Sequence, residues 1–233
     1  MGRFVLNPED ACYPDIISEG YRTIARGSAC AAAPRIYGIG DASALLGPCV
    51  TIIGARNATP YGLEVAYKAG KLAAESGVCV VSGGAAGCDA EASRGALDAG
   101  GRTVIVSGCG ADCVYPSSSD DIFAAARKGE GCVISMEDWG TAPRRYTFSK
   151  RNVLLAAISK DVLVCEAPLR SGTVGIAEMA MEMERAVHAV PGSIFSPASQ
   201  GTNFLIQGGC KMIVDESGLE LMLGNAGIPK VLF

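Results

Sequence analysis

The feature that most constrains this chain is a series of short apolar runs that hardly alternate with polar residues. They are Cys49–Gly54, Val78–Ser82, Thr103–Ser107, Cys132–Ser135 and Val162–Glu166, with further strand-like runs at Ala186–Val190 and Met212–Val214. A strand with one wet face alternates apolar and polar side chains, whereas a run that is apolar throughout is buried on both faces. Such burial belongs to parallel sheets, whose crossover helices cover both sides. Helical patterns fall between the runs, at Tyr61–Ser76, Cys88–Ala99, Asp120–Lys128, Lys150–Ile158, Val174–Glu184 and Thr202–Gln207. The expected fold class is therefore α/β: a Rossmann-like, mainly parallel sheet flanked by helices, with a short N-terminal extension. Residues 1–48 are read as that extension, packed on the sheet. Within it Tyr13-Pro14 opens a short helical pattern, an alanine-rich piece follows, and Ile36–Gly40 forms an added edge strand. Residues 49–216 form the core, and 217–233 a short helix and tail.

In an open parallel sheet, ligands meet the carboxyl ends of the strands. Arg56 stands at the first such end, just past Gly54 and ahead of a helix, where a cation receives an anion. A second strand runs into Ser82-Gly83-Gly84-Ala85-Ala86-Gly87, a loop with little side chain to keep a ligand off its amides. One glycine turn alone reads as chain reversal; two strand ends with an arginine between them read as an anion-binding floor. Asp89 is taken as an early-helix carboxylate favoured by the helix dipole. Glu166, at the end of a strand, is placed to touch a ribose or base.

Charge and composition exclude several classes. A net charge of −4 argues against a protein coated in phosphate-binding cations but leaves room for a local patch. One exists: from Trp139 to Lys160 there is no acidic residue, while Arg144, Arg145, Lys150, Arg151 and Lys160 fall in the window, interleaved with Trp139, Tyr146 and Phe148. Cations suit phosphates and rings suit bases. No run reaches membrane-span length, and the N-terminus has no signal-peptide pattern, so a cytoplasmic protein without membrane contact is expected. The ten cysteines are scattered and several lie in apolar runs, which reads as reduced core thiols. Cys109 and Cys113 lack a second cysteine pair, and His188 is the lone histidine, in a strand-like run, so no metal site is expected. There is no Walker A sequence and no Gly-x-Ser-x-Gly elbow. Gly108–Cys113 runs into Tyr115-Pro116 instead of opening a helix. Neither a cofactor nor an enzymatic activity is expected.

The order of these pieces resembles the DprA/Smf family of DNA-processing proteins. The likeness runs from about Tyr13-Pro14 to about Asp215. It is most specific in IIGAR (52–56), VVSGGAAGCDAEASRGALDAGGRTV (80–104), GCGADCVYP (108–116), FSKRN (148–152), EAPLRSGT (166–173) and AVPGSIFSPASQGTN (189–203). The resemblance implies an extended Rossmann fold that binds single-stranded DNA, forms a homodimer and delivers the recombinase RecA onto the strand during natural transformation. It also implies a DNA pocket built from Arg56, from Lys150, Arg151 and Asn152, and from two small-residue loops, Ser82-Gly83-Gly84 and Ser171-Gly172-Thr173. Phe148, directly before the basic turn, is either a base-stacking ring or a core anchor. The chain departs from the family's usual residues at Ala86 (arginine), Ser93 (histidine), Ser149 (proline), Val153 (arginine), Ile176 (threonine) and Phe204 (arginine), losses that put DNA affinity in question. The expectation is a Rossmann core without a C-terminal winged helix. The alternative is a nucleotide-binding or nucleoside-monophosphate phosphoribohydrolase-like enzyme related to the plant LOG proteins, of which Ser171-Gly172-Thr173 with Glu178 is a partial echo.

Overall fold

The computed structural model describes residues 2–25 and 32–227. Most of the alanine-rich piece, and the tail beyond 227, lie outside the described residues. Among the described residues nine strands form one sheet: β1 (Arg3–Leu6), β2 (Ile36–Gly40), β3 (Cys49–Ile53), β4 (Cys79–Ser82), β5 (Thr103–Ser107), β6 (Gly131–Ser135), β7 (Asp161–Val164), β8 (Ala186–Ala189) and β9 (Lys211–Met212). Their spatial order is β1-β2-β6-β5-β4-β3-β7-β8-β9. All neighbours from β6 to β9 pair in parallel, while β1–β2 and β2–β6 are antiparallel. The α/β, mainly parallel, Rossmann-like class is therefore the observed one. Ile36–Gly40 is not the edge strand expected from the sequence; β1 pairs on its outer side and takes the edge.

The described residues hold eight α-helices: α1 (Asp15–Ala25), α2 (Pro60–Glu75), α3 (Cys88–Asp98), α4 (Asp120–Arg127), α5 (Arg145–Ala157), α6 (Gly172–Glu182) and α7 (Gln200–Gln207) between strands, and α8 (Glu216–Gly227) after β9. Successive strand residues enter opposite layers, which is why the runs show no wet face. On β7, Val162 and Val164 pack with α1, α5, α6 and α7, while Leu163 faces the layer of α2, α3 and α8. On β5, Val104 and Val106 take the first layer and Ile105 packs with Ile122 and Phe123 of α4. Helices α2 and α3 approach closely through small residues: a Cβ at Gly70 would collide with the Ala92 carbonyl, and one at Gly95 with the Tyr67 carbonyl. That contact fixes where α3, and with it Asp89, sits relative to β3.

Candidate functional site

From β3 the chain winds outward through β4, β5 and β6, then returns to lay β7 on the other flank of β3. The loops leaving β3 and β7 diverge, and a crevice opens above their carboxyl ends. A cavity of about 570 Å³ occupies it, lined by the turn after β3 (Gly54–Asn57), by Arg145, Phe148, Arg151 and Asn152 of α5, and by Pro168 and Ser171–Thr173 after β7.

The turn after β3 is pinned on both sides. The Ala55 N–H donates to the Glu166 carbonyl (2.7 Å), and the Cys88 N–H donates to the Ala55 carbonyl (3.2 Å). A side chain at Gly54 would strike Cys88 (2.5 Å), so the backbone passes here only as glycine. Arg56 is left exposed at the mouth of the cavity. Glu166 is committed elsewhere: its carboxylate accepts the Thr59 N–H (2.7 Å) and hydroxyl (2.8 Å), bracing the residue that caps α2.

Arg151 is the reverse of Arg56. It is buried at 5% exposure, lines the same cavity, and its Nε has no hydrogen-bond partner among the described residues. Burial lowers its pKa to about 10; Asp89 opposes that shift through space and Arg56 adds to it by repulsion. Both cations lie over the Phe148 ring, the Arg56 guanidinium 5.8 Å and that of Arg151 5.5 Å from its centre. The ring also meets Tyr115 edge-on at 5.4 Å and covers Gly108, where a Cβ would lie 2.6 Å from it. Phe148 is thus both a packed anchor and part of the cavity wall.

Asp89 ties the floor together. Its carboxylate accepts the N–H groups of Gly54 (3.2 Å) and Gly83 (3.0 Å), joining the turns after β3 and β4. Burial nevertheless pushes its pKa up, against the pull of Arg151 and of the backbone donors. This organising role, beyond the expected dipole partner, has no sequence signature, since it depends on two turns meeting the start of α3. Arg145, which also lines the cavity, was legible only as one cation of the basic window.

The remaining expected residues divide. Asn152, Ser171, Gly172 and Thr173 line the same cavity as Arg56; the Ser171 hydroxyl accepts the Val174 N–H (3.3 Å) to cap α6, and the Thr173 hydroxyl donates to the Gly54 carbonyl (3.0 Å). Ser82, Gly83 and Gly84 are buried behind the cavity with their groups engaged. The Gly83 N–H serves Asp89, the Gly84 N–H serves the Ser82 hydroxyl (3.3 Å), and that hydroxyl meets Ser93 at 3.0 Å. Lys150 points outward to Glu137, Nζ to Oε1 3.1 Å, and is not on the cavity wall. Trp139 packs edge-on against Tyr37 under the Arg3 guanidinium. His188 meets Asp161 (2.9 Å), joining β8 to β7. Glu178 is exposed on α6 and does not line the cavity. Ser149 and Ile176, two of the departures, do line it.

A family profile described as DNA recombination-mediator protein A matches residues 4–222. Protein Smf of Synechocystis is 37% identical over 177 residues, 76% of this chain and 44% of that protein. DNA processing protein DprA of Streptococcus pneumoniae is 33% identical over 204 residues, 88% of this chain and 68% of that protein. The chain thus spans less than half the length of the Synechocystis relative. Among solved structures, the S. pneumoniae DprA superposes with a TM-score of 0.83 at 31% identity, covering 93% of this chain and 72% of that one. DNA processing protein A from Helicobacter pylori, a structure concerned with its single-stranded DNA binding mode, superposes with 0.81 at 26% identity, covering 96% of both. A molybdenum cofactor binding protein from Rippkaea orientalis, at TM-score 0.56 and 20% identity over 77% of this chain and 96% of that one, shares the fold alone. With a matching profile over nearly its whole described length and relatives above 30% identity, the chain belongs to the DNA recombination-mediator protein A family, that of DprA and Smf.

Proposed function

We propose that the chain binds single-stranded DNA in the cavity above β3 and β7, as a non-enzymatic DNA-processing protein that protects incoming strands and assists RecA loading. In this reading it works in the cytoplasm as a homodimer. The observation that carries it is the pairing, in one cavity, of three arginines with an aromatic ring: Arg56, Arg145 and Arg151 around Phe148. The single-strand binding described for the H. pylori relative supports the same ligand.

In mechanism, the Arg56 and Arg145 guanidiniums and the N-terminus of α6, with Asn152, Ser171, Gly172 and Thr173, hold phosphate oxygens. Ile53, Pro168 and Ile176, with the Phe148 ring, offer apolar faces to bases without reading them. Ser82, Gly83 and Gly84 act from behind, by seating Arg151 and receiving Asp89. Lys150, exposed beside Glu137, adds long-range attraction for the strand. The binding unit lies within residues 49–216, which supply every residue of the cavity wall; β1 and β2, from residues 1–48, extend its sheet, and α8 packs in the layer of α2 and α3.

A gel-shift series with one oligonucleotide, single- and double-stranded, tests the ligand, and incubation with nucleoside monophosphates tests the enzymatic alternative. A shift confined to the single strand, with no base released, is expected. Base release, lost on mutating a cavity residue, would replace the binding reading by the phosphoribohydrolase one.

A further inference from the structure

We propose that the cavity is built for a phosphate monoester: it takes the phosphorylated end of a strand in preference to an internal phosphodiester. This rests on the single-strand reading above and narrows it.

The charged residues of the cavity wall are Arg56, Arg145, Arg151 and Asp89, a net of two positive charges. An internal phosphodiester brings one negative charge, whereas a monoester brings about −1.5 to −2 near pH 7. The monoester is the better match. Depth points the same way. Arg151, 5% exposed inside the cavity, has Asp89 acting on it through space but no hydrogen-bond partner for Nε among the described residues. A buried guanidinium left so is costly unless an anion completes it. A phosphodiester carries sugar on both sides, so a continuous strand would have to bring two nucleosides down to reach Arg151, and a strand end only one.

The geometry around Phe148 supplies two stations for such a group. Arg56 at the mouth and Arg151 inside sit 5.8 and 5.5 Å from the same ring, and repulsion from Arg56 adds to the lowering of the Arg151 pKa that burial chiefly causes. A doubly charged phosphate near both relieves that repulsion. The N-terminus of α6, capped by Ser171, reaches the same wall with Asn152 beside it. Phosphate monoester chemistry could come from a 5′ end, a 3′ end or a free nucleoside monophosphate, and separate arms distinguish them.

The test is competition, by the intact chain, against a labelled single strand using one unlabelled sequence in three forms: unphosphorylated, 5′-phosphorylated and 3′-phosphorylated. Binding of dAMP is measured in parallel by calorimetry. One phosphorylated form is expected to compete at a concentration about 10- to 100-fold below the unphosphorylated one, the scale of added hydrogen bonds to charged groups. Arg151→Met should reduce that gap to within about twofold, while Arg56→Ala weakens all three forms. Equal competition by the three forms would overturn the monoester inference and leave the single-strand reading standing, as would a gap unchanged in Arg151→Met. Binding of dAMP without any strand would keep the monoester site and remove the strand reading; no binding of any probe would remove both. If Arg151→Met fails to fold, the wild-type comparison still decides.

Discussion

Replacing Gly83 by alanine places a methyl group where the Arg151 guanidinium already sits. The added Cβ would overlap Arg151 Nη1 and stand 2.6 Å from Asp89 Oδ2. Gly83 is not among the glycines with positive φ, so alanine meets no backbone penalty and the steric effect is isolated. A compatible Gly→Ala change alone stabilises by about 0.4–1 kcal/mol, and overpacking a filled site costs about 1–3 kcal/mol, which leaves a net loss of up to about 2.6 kcal/mol, centred on about 1.3 kcal/mol. Arg151 must yield, being a side chain rather than backbone, and it leaves the cavity wall as it does so. The variant should therefore lose single-strand affinity together with stability. Urea unfolding followed by circular dichroism gives the first quantity, and anisotropy of a labelled oligonucleotide the second. A cycle with Arg151→Met adds specificity: methionine has no branched head group, so the Gly83→Ala penalty should shrink by at least about 0.5 kcal/mol in that background. Additive losses, or a Gly83→Ala protein with wild-type stability and affinity, would refute the claim that this glycine serves to seat Arg151.

Phe148→Leu should lower the melting temperature, because it removes the edge-on pair with Tyr115, worth about 0.5–1.5 kcal/mol, and part of the cover over Gly108; wild-type stability would restrict the ring to ligand contact. Arg145→Ala should weaken single-strand binding more than Lys150→Ala, since Arg145 is on the cavity wall and the Lys150 ammonium is held by Glu137; the reverse order in a titration would move the site outward. Burial raises the Cys88 thiol from 9.0 to about 12, so in the folded state it stays neutral where an unfolded thiol ionises. The stability it contributes is present below pH 9 and lost as pH rises from about 9 to about 12, so Cys88→Ala should show a shallower decline over that window; parallel curves would contradict the assignment.

The strands were the most legible part of the fold. Thr103–Ser107 has the expected bounds, because Gly101 before it and Ser107-Gly108 after it punctuate a run buried on both faces. The β1 strand went unread: Arg3–Leu6 is four residues at a sheet edge, with only Leu6 buried, too short and too exposed to show a period. Helix α5 begins at Arg145, five residues before the expected Lys150. Its first turn carries exposed Arg145 and Tyr146 and has little apolar signal; its start is fixed by Thr147 bonding back to Arg144. That shift matters to the site, because it places Arg145 on the cavity wall and turns Lys150 away. Arg56 was visible since strand, glycine and cation follow one another in the chain. The glycine loop was visible as well, but its use was not: whether an amide faces a ligand or a buried carboxylate depends on Asp89, whose reach to Gly54 and Gly83 is set by the packing of α3 on α2.

The central claim is that a single strand lies in this cavity with its phosphates on Arg56. The most direct measurement is the affinity for a single-stranded oligonucleotide as a function of salt, in the wild type and in Arg56→Ala. Arg56 is exposed, so its loss should leave folding stability within about 0.5 kcal/mol. The account predicts weaker binding nearly independent of sequence, and a log–log salt slope smaller by about 0.7, the value for one phosphate contact on a single strand. An affinity and slope identical to wild type would place the strand elsewhere on the protein.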